Sequence, residues 1–272
     1  MSEKQPFVQS ADGTGIVVAE YGEGHPIVIV HGGMGEAAHW DPVGKLLSPP
    51  YRIVGVERRV YGRSGTPQSS HSMARETEDI AAVLDKLGEP AIVVGHSSGA
   101  VATLEAALLH PANLRGIVLY EPPVQIGTPL GGDHQRLAEE ALARGDADTA
   151  QLIFFRDIVG FSDQMIDRMR SPMWRGGWDY MMTIMPRQME DNRAIRALPF
   201  DIERYRDIDV PALLLRSTAS PQHLQDRLFA VAAVLPNASR VDLPGEGHNA
   251  NMSAPQLVAD AIAPFAKMVF GN

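Results

Sequence analysis

Five short apolar runs, Ile27-Val28-Ile29-Val30, Ile53-Val54-Gly55-Val56, Ile92-Val93-Val94, Ile117-Val118-Leu119-Tyr120 and Ala212-Leu213-Leu214-Leu215, constrain the fold of this chain more than any other feature. None alternates polar with apolar residues, so each suits a strand covered on both faces rather than one with a wet side. Helical stretches separate them. Ser72 can cap a helix running to Leu87, with Glu76, Glu78 and Asp79 near its positive end and Gly88 as terminator. Ser239 to Leu243 reads as a last strand, and Pro255 to about Phe270 as a closing helix. Such alternation implies an α/β fold, a mostly parallel twisted sheet flanked by helices. Ahead of the first run, Phe7–Ser10 and Ile16–Glu20 around the turn Ala11–Gly15 read as a hairpin.

Residues 122–210 break the rhythm. They offer no clear strand and read as several helices, with breaks at Pro129, Gly145, Gly160, Pro172, Gly176-Gly177, Pro186 and Pro199. The expected organisation is therefore a core of residues 1–121 and 211–272 with a helical insertion, 122–210, between its halves. The insertion is rich in methionine (Met165, Met169, Met173, Met181, Met182, Met185, Met189), interleaved with Trp174, Trp178 and Tyr180. Helical spacing explains much of the set as packing onto the core. The same side chains also suit a soft wall around an apolar ligand, with Trp174, Trp178, Met181, Met182 and Met185 as contacts. Both readings stand at this point.

A length of 272 residues, with 44% hydrophobic and 21% charged, suits one large globular domain. The net charge of −9, with no cluster of lysine and arginine to overrule it locally, argues against nucleic acid and anionic lipid as partners. There is no cysteine, which removes disulfides, thiolate metal sites and thiol nucleophiles together. The polar start Met1-Ser2-Glu3-Lys4-Gln5-Pro6 shows neither a secretory leader nor a membrane anchor, so a cytoplasmic protein is expected. No closely spaced pair among the nine histidines resembles a zinc-binding motif, and neither metal nor cofactor is expected.

The chemistry concentrates at Gly95-His96-Ser97-Ser98-Gly99, between the third apolar run and an alanine-rich helical stretch beginning near Ala100. A serine hydroxyl is a poor nucleophile unless it stands clear of the strand ladder, beside a base and above donors for an oxyanion. A strand, a sharp turn and a helix achieve that. Glycines two positions before and after Ser97 let strand and helix approach while the serine takes a strained conformation at the tip.

With these features the chain resembles an α/β-hydrolase carrying a helical cap, over about residues 7–270. Three landmarks match in order: the elbow around Ser97, His31-Gly32-Gly33-Met34-Gly35 after the first apolar run, and Gly245-Glu246-Gly247-His248 after the last strand. The run Glu57-Arg58-Arg59-Val60-Tyr61-Gly62-Arg63-Ser64 looks like the family's DxxGxGxS turn, with Glu57 and Val60 in place of aspartate and glycine. The resemblance implies Ser97 as nucleophile and His248 as general base. It also implies an oxyanion hole from the backbone amides of Ser98 and Gly33, with Met34 as the less favoured second donor. His31 and His96 fall where the family uses histidine structurally.

At one position the chain departs from the family. The usual acid follows the seventh strand, but Leu213-Leu214-Leu215-Arg216-Ser217-Thr218-Ala219-Ser220-Pro221 has Ala219 where aspartate is expected. A base without its carboxylate loses orientation and charge compensation, a handicap of roughly 10⁴ in rate in serine proteases. Glu121 is the best replacement, because it lies one residue past the sixth strand and some members place their acid there. Relatives that keep the aspartate also carry a segment like Leu119-Tyr120-Glu121-Pro122-Pro123, so a structural Glu121 stays open. So does a Ser97–His248 dyad oriented by Ser217, Thr218, Ser220 or water. Asp207 and Asp209 precede the seventh strand and are at its wrong end.

The expected function is a serine hydrolase acting on an ester, lactone or thioester of a mainly apolar small molecule, through an acyl-enzyme on Ser97. Two alternatives remain: a non-hydrolytic cyclase, lyase or isomerase with His248 as proton carrier, and a catalytically silent ligand-binding protein on the same scaffold.

Overall fold

In the computed structural model each apolar run forms a strand. The structure describes residues 7–61 and 63–271; the polar start Met1–Pro6 and Gly62 of the turn after Glu57 lie outside the described residues. In chain order the strands are β1 (Val8–Gln9), β2 (Gly15–Ile16), β3 (Val18–Tyr21), β4 (His25–Val30), β5 (Tyr51–Val56), β6 (Ala91–His96), β7 (Leu114–Tyr120), β8 (Ala212–Ser217) and β9 (Ala238–Leu243). Seven of them build one sheet in the order β3-β5-β4-β6-β7-β8-β9. Only β3 runs antiparallel, against β5. The hairpin expected over Phe7–Ser10 and Ile16–Glu20 is cut short. Val8 pairs with Ile16 and Gln9 with Gly15, and the chain then leaves to form β3 on the main sheet. Val17, at the break, gives its N–H to Ser64 Oγ at 3.0 Å rather than to a strand.

The helices are α1 (Asp41–Leu47), α2 (Met73–Leu87), α3 (Ser98–Ala107), α4 (His134–Ala143), α5 (Ala147–Ile153), α6 (Asp163–Arg170), α7 (Arg175–Arg196), α8 (Gln222–Val234), α9 (Ala250–Ser253) and α10 (Pro255–Phe270). Alternate side chains of the sheet enter two cores, as a period of two requires. Val28, Val30, Val54 and Val93 pack with residues of α2, α3 and α8; Ile27, Ile29, Ile53, Ile92 and Val94 pack with residues of α1 and α10. The ends of α2 follow its sequence. Ser72 Oγ accepts the Arg75 N–H at 3.3 Å, and Gly88, at φ 66°, returns its N–H to the Leu84 carbonyl.

Between β7 and β8 the described chain forms no ladder strand. It builds α4 to α7, a π-helical turn at Phe154–Val159 and a 3-10 stretch at Ile202–Asp207. Two of the expected breaks do not occur, because Gly176-Gly177 and Pro186 lie inside α7. The glycines occupy its first turn, where N–H groups have no intrahelical acceptor in any case. Pro186 removes one interior hydrogen bond, and the burial of Ile184, Met185 and Met189 around it offsets that loss. No helix among the described residues is long and apolar enough to cross a membrane.

The parallel strands all end at one edge, where Val30 pairs with Gly95, His96 with Tyr120, and Tyr120 with Leu215. In open α/β sheets ligands bind beyond that edge. Gly99 makes the edge possible: a Cβ there would collide with the carbonyl oxygens of Val30 and His31. Gly99→Ala is expected to lose about 3 kcal/mol of stability through overpacking against backbone. Gly88→Ala, strained only by its positive φ, should lose about 1 kcal/mol. Urea unfolding midpoints check both, and equal losses would contradict this account.

Candidate active site

Ser97 stands at the tip of the turn from β6 into α3 with φ 51° and ψ −124°, a conformation that side chains rarely adopt. Its N–H donates to the Tyr120 carbonyl at 2.8 Å, which ties the elbow to β7. The N–H of Ser98, at the first position of α3, has no intrahelical acceptor. Gly33 lies beyond the end of β4, and both residues line the same cavity as Ser97 and His248. Met34, also in that wall, has φ 56°.

The structure brings Glu121 and His248 together. His248 Nδ1 donates to Glu121 Oε2 at 2.6 Å, with the carboxylate at 0% exposure. Glu121 Oε1 accepts the Ser217 N–H at 2.8 Å, and Oε2 also accepts the Ser220 hydroxyl at 2.8 Å. A buried carboxylate needs such donors to stay charged. Both serines belong to the stretch where the resemblance expects aspartate, and Ala219 between them gives its N–H to the Glu246 carbonyl. Glu121 is therefore received by the turn that would otherwise bear the acid. Thr218 turns the other way, its Oγ1 accepting the Gly245 N–H at 2.8 Å.

The loop carrying His248 is pinned from below. The Tyr120 hydroxyl donates to the Gly247 carbonyl at 2.7 Å and accepts the Ala250 N–H at 3.1 Å, gripping the chain on both sides of the imidazole. With the Tyr120 proton so used, Ser217 Oγ donates to the phenol oxygen at 2.7 Å. His96 Nε2 donates to the His248 carbonyl at 2.9 Å. Burial, then the neighbouring His248, holds the pKa of His96 well below the ordinary value, so its ring is a neutral strut. His31 is another. Its Nδ1 donates to the Gly32 carbonyl at 2.8 Å, its Nε2 accepts the Arg58 N–H at 3.3 Å, and burial followed by the Arg58 charge lowers its pKa to about 3.

The shared cavity measures about 550 Å³. Trp174, Trp178 and Met181 line it, as the methionine and tryptophan pattern suggested, but Met182 and Met185 do not. Met182, one position past Met181, is turned by about 100° to another face of α7, where it is partly buried, whereas Met185 shares the phase of Met181 but is wholly buried inside the helical segment. Sequence reasoning missed Phe154 and Phe155, which line the wall from the π-helical turn, and Gln188 and Asn192, which bring polar groups to it from α7. Gln188, Asp191 and Asn192 recur at helical spacing, a polar stripe that could have been noticed.

Behind the cavity lies a buried charge cluster. His71, Glu76 and Asp191 bring three ligand-type atoms within 4.8 Å of one another, the one such group among the described residues. The Arg58 guanidinium binds both carboxylates, Glu76 at 3.0 Å and Asp191 at 2.7 Å, so the negative charge already has a partner. Burial opposes ionisation of Asp191, yet Arg58 and His71 outweigh it and hold the carboxyl below its ordinary range. Burial likewise opposes the charged His71, but its hydrogen bond to Asp191 and the field of Glu76 raise its pKa.

Comparison with known proteins fixes the class. The sequence profile of the alpha/beta hydrolase family matches residues 27–261, and the chain belongs to that family and is an α/β-hydrolase enzyme. It is 25% identical over 264 residues to the 2-(acetamidomethylene)succinate hydrolase of Mesorhizobium japonicum, covering 91% of this chain and 90% of that one. It is 28% identical over 275 residues to the non-heme chloroperoxidase of Streptomyces lividans, covering 96% and 99%. The crystal structure of an alpha/beta hydrolase from Sphaerobacter thermophilus superposes with a TM-score of 0.78 at 30% identity, covering 97% and 99% of the two chains.

The raised pKa of His71 has a signed consequence. A histidine whose folded pKa exceeds its ordinary value near 6.5 adds stability that is complete below that value and fades as pH rises through the folded pKa. The native protein should therefore exceed His71→Gln in unfolding free energy most at about pH 5.5 and least at about pH 9. A difference that grows with pH would contradict the assignment.

Proposed function

We propose that this enzyme is a serine hydrolase that cleaves an ester, lactone or thioester of a mainly apolar small molecule through an acyl-enzyme on Ser97. His248, oriented by Glu121, takes the Ser97 proton as the hydroxyl attacks the carbonyl, and returns it to the leaving group. The oxyanion of the tetrahedral intermediate is received by the amides of Ser98 and Gly33. Water, deprotonated by the same imidazole, then releases the acid. The 2.6 Å contact between His248 Nδ1 and a fully buried Glu121 carries the reading, because it supplies the charge that the alanine at position 219 leaves absent. The non-hydrolytic alternative draws its motive from that absence, and the Glu121 contact weighs against it. Residues 122–210 are assigned as a cap, and Trp174, Trp178, Met181, Phe154 and Phe155 as the apolar wall that selects the substrate.

Incubation with a fluorophosphonate should add one label, on Ser97. Glu121→Gln should lower kcat on a short-chain aryl ester by roughly 10³- to 10⁴-fold. Ala219→Asp in the native background should gain nothing, since Nδ1 already has its partner, whereas the same change added to Glu121→Gln should recover part of the loss. Near-native turnover by Glu121→Gln would sink the displaced acid, and an unlabelled protein would sink the serine mechanism.

A further inference from the structure

Arg58 is a fully buried cation in a chain whose proposed chemistry does not use it. Its contacts on one side lead to two parts of the site. Its Nη1 donates to Ser98 Oγ at 2.7 Å and to the His31 carbonyl at 3.4 Å, while its own backbone N–H donates to His31 Nε2. Ser98 carries one of the two oxyanion amides, and Gly33, two residues beyond His31, carries the other. One side chain thus joins, from behind, the two segments whose separation sets the hole. The far side of the guanidinium is held by Glu76 of α2 through Nε and by Asp191 of α7 through Nη1 and Nη2, at 3.2 and 2.7 Å.

Helix α7 presses directly on one of these segments, at Gly33. The Gln188 side chain lies over Gly33 so closely that a Cβ there would collide with its amide, and Gln188 Oε1 accepts the Tyr61 hydroxyl at 2.9 Å, which also lies 2.8 Å from Asp191 Oδ2. The two carboxylates offset the positive charge of Arg58, so its contribution at the hole is geometric. Geometry is what the hole requires, since donors must stand about 2.7–3.1 Å from the place the oxyanion will occupy.

We propose that Arg58 is a positioning residue that sets the oxyanion hole, and that Asp191 of α7 holds it in place, so that seating the helical segment on the sheet completes the hole. This rests on the serine-hydrolase reading.

Three variants test it: Ser98→Ala, which keeps the amide but removes the acceptor for Arg58; Asp191→Asn; and the two combined. Each single change should lower kcat on the aryl ester, and affinity for an aryl boronic acid that mimics the tetrahedral intermediate, by about tenfold, with KM within about twofold of native. If both act through Arg58, the double variant should be no worse than the weaker single, although positions 98 and 191 are far apart in the chain. Losses that multiply, or singles with native kcat and boronate affinity, overturn the proposal. Should Asp191→Asn fail to fold, Ser98→Ala decides alone, and unchanged values overturn it. Fluorophosphonate labelling of the native protein separates the two layers: labelled Ser97 with unaffected variants removes only the positioning role, and an unlabelled, inactive native protein removes both.

Discussion

A carboxylate at zero exposure survives only if donors surround it, and the site is arranged around that requirement at Glu121. Neighbouring strands lie about 4.8 Å apart. A carboxylate at the end of β7 must reach across that gap to the end of β8, and the Glu121 side chain does so, with Oε1 on the Ser217 N–H. Alanine at position 219 leaves the receiving turn free of a second negative charge, while Ser217 N–H and Ser220 Oγ face the incoming oxygens. The shift of one residue type between strands is intelligible only with its hosts. Without the Ser217 N–H and the Ser220 hydroxyl, Glu121 would be a buried charge held by one imidazole.

The same edge of the sheet concentrates backbone strain. Among the described residues four non-glycine residues have positive φ, and three of them are Met34, Ser97 and Glu121. Each such residue costs of order 1–3 kcal/mol and persists only where its surroundings over-determine it. At Ser97 the determinants are the glycines on either side, which admit the Val30 and His31 carbonyls and the first turn of α3. At Glu121 they are the three donors just described. Strain here is a by-product of turning three chain reversals inward at once, so that Ser97, His248 and the loop of Gly33 and Met34 share one cavity while Glu121 stays buried against the imidazole.

Much of this was legible in the amino-acid order. Strands buried on both faces announce themselves by unbroken apolar runs, and α2 by its serine cap and glycine stop. The elbow and the loops ending in Gly33 and His248 could be located, though whether Glu121 met His248 depended on a contact 127 residues apart in the chain. The wall of the cavity was harder. Within a methionine-rich helix the pattern reveals neither which phase faces the opening, which separates Met182 from Met181, nor how deeply a residue of the right phase is packed, which separates Met185. The π-helical turn adds to the difficulty, because widening by one residue rotates Phe154 and Phe155 relative to a regular helix. Arg58 could be placed only within the turn from Glu57 to Ser64, since nothing local distinguishes an arginine that will meet its partner 133 residues later.

Helix α7 unites the two kinds of surface. Trp178, Met181, Met185, Gln188, Asn192 and Ile195 follow the spacing of a single stripe, which extends about 26 Å at 1.5 Å per residue. Toward its N-terminus the stripe is aromatic and thioether; near Gly33 it becomes amide. The end at Trp178 is fixed by a hydrogen bond from its indole N–H to Asp148 at 2.7 Å, and the amide end by the chain of contacts from Gln188 to Asn192 and on to Gln135. For the proposed reaction this gives the cavity a direction, with the reacting carbonyl at the amide end and the apolar remainder of the substrate along the aromatic one. A change that widened the apolar half would have to leave the helix phase intact, because the same rotation that moves Trp178 also moves Gln188 off Gly33 and Asp191 off Arg58. In the proposed reaction, substrate choice and the geometry of the reacting end are thereby linked through one rigid element.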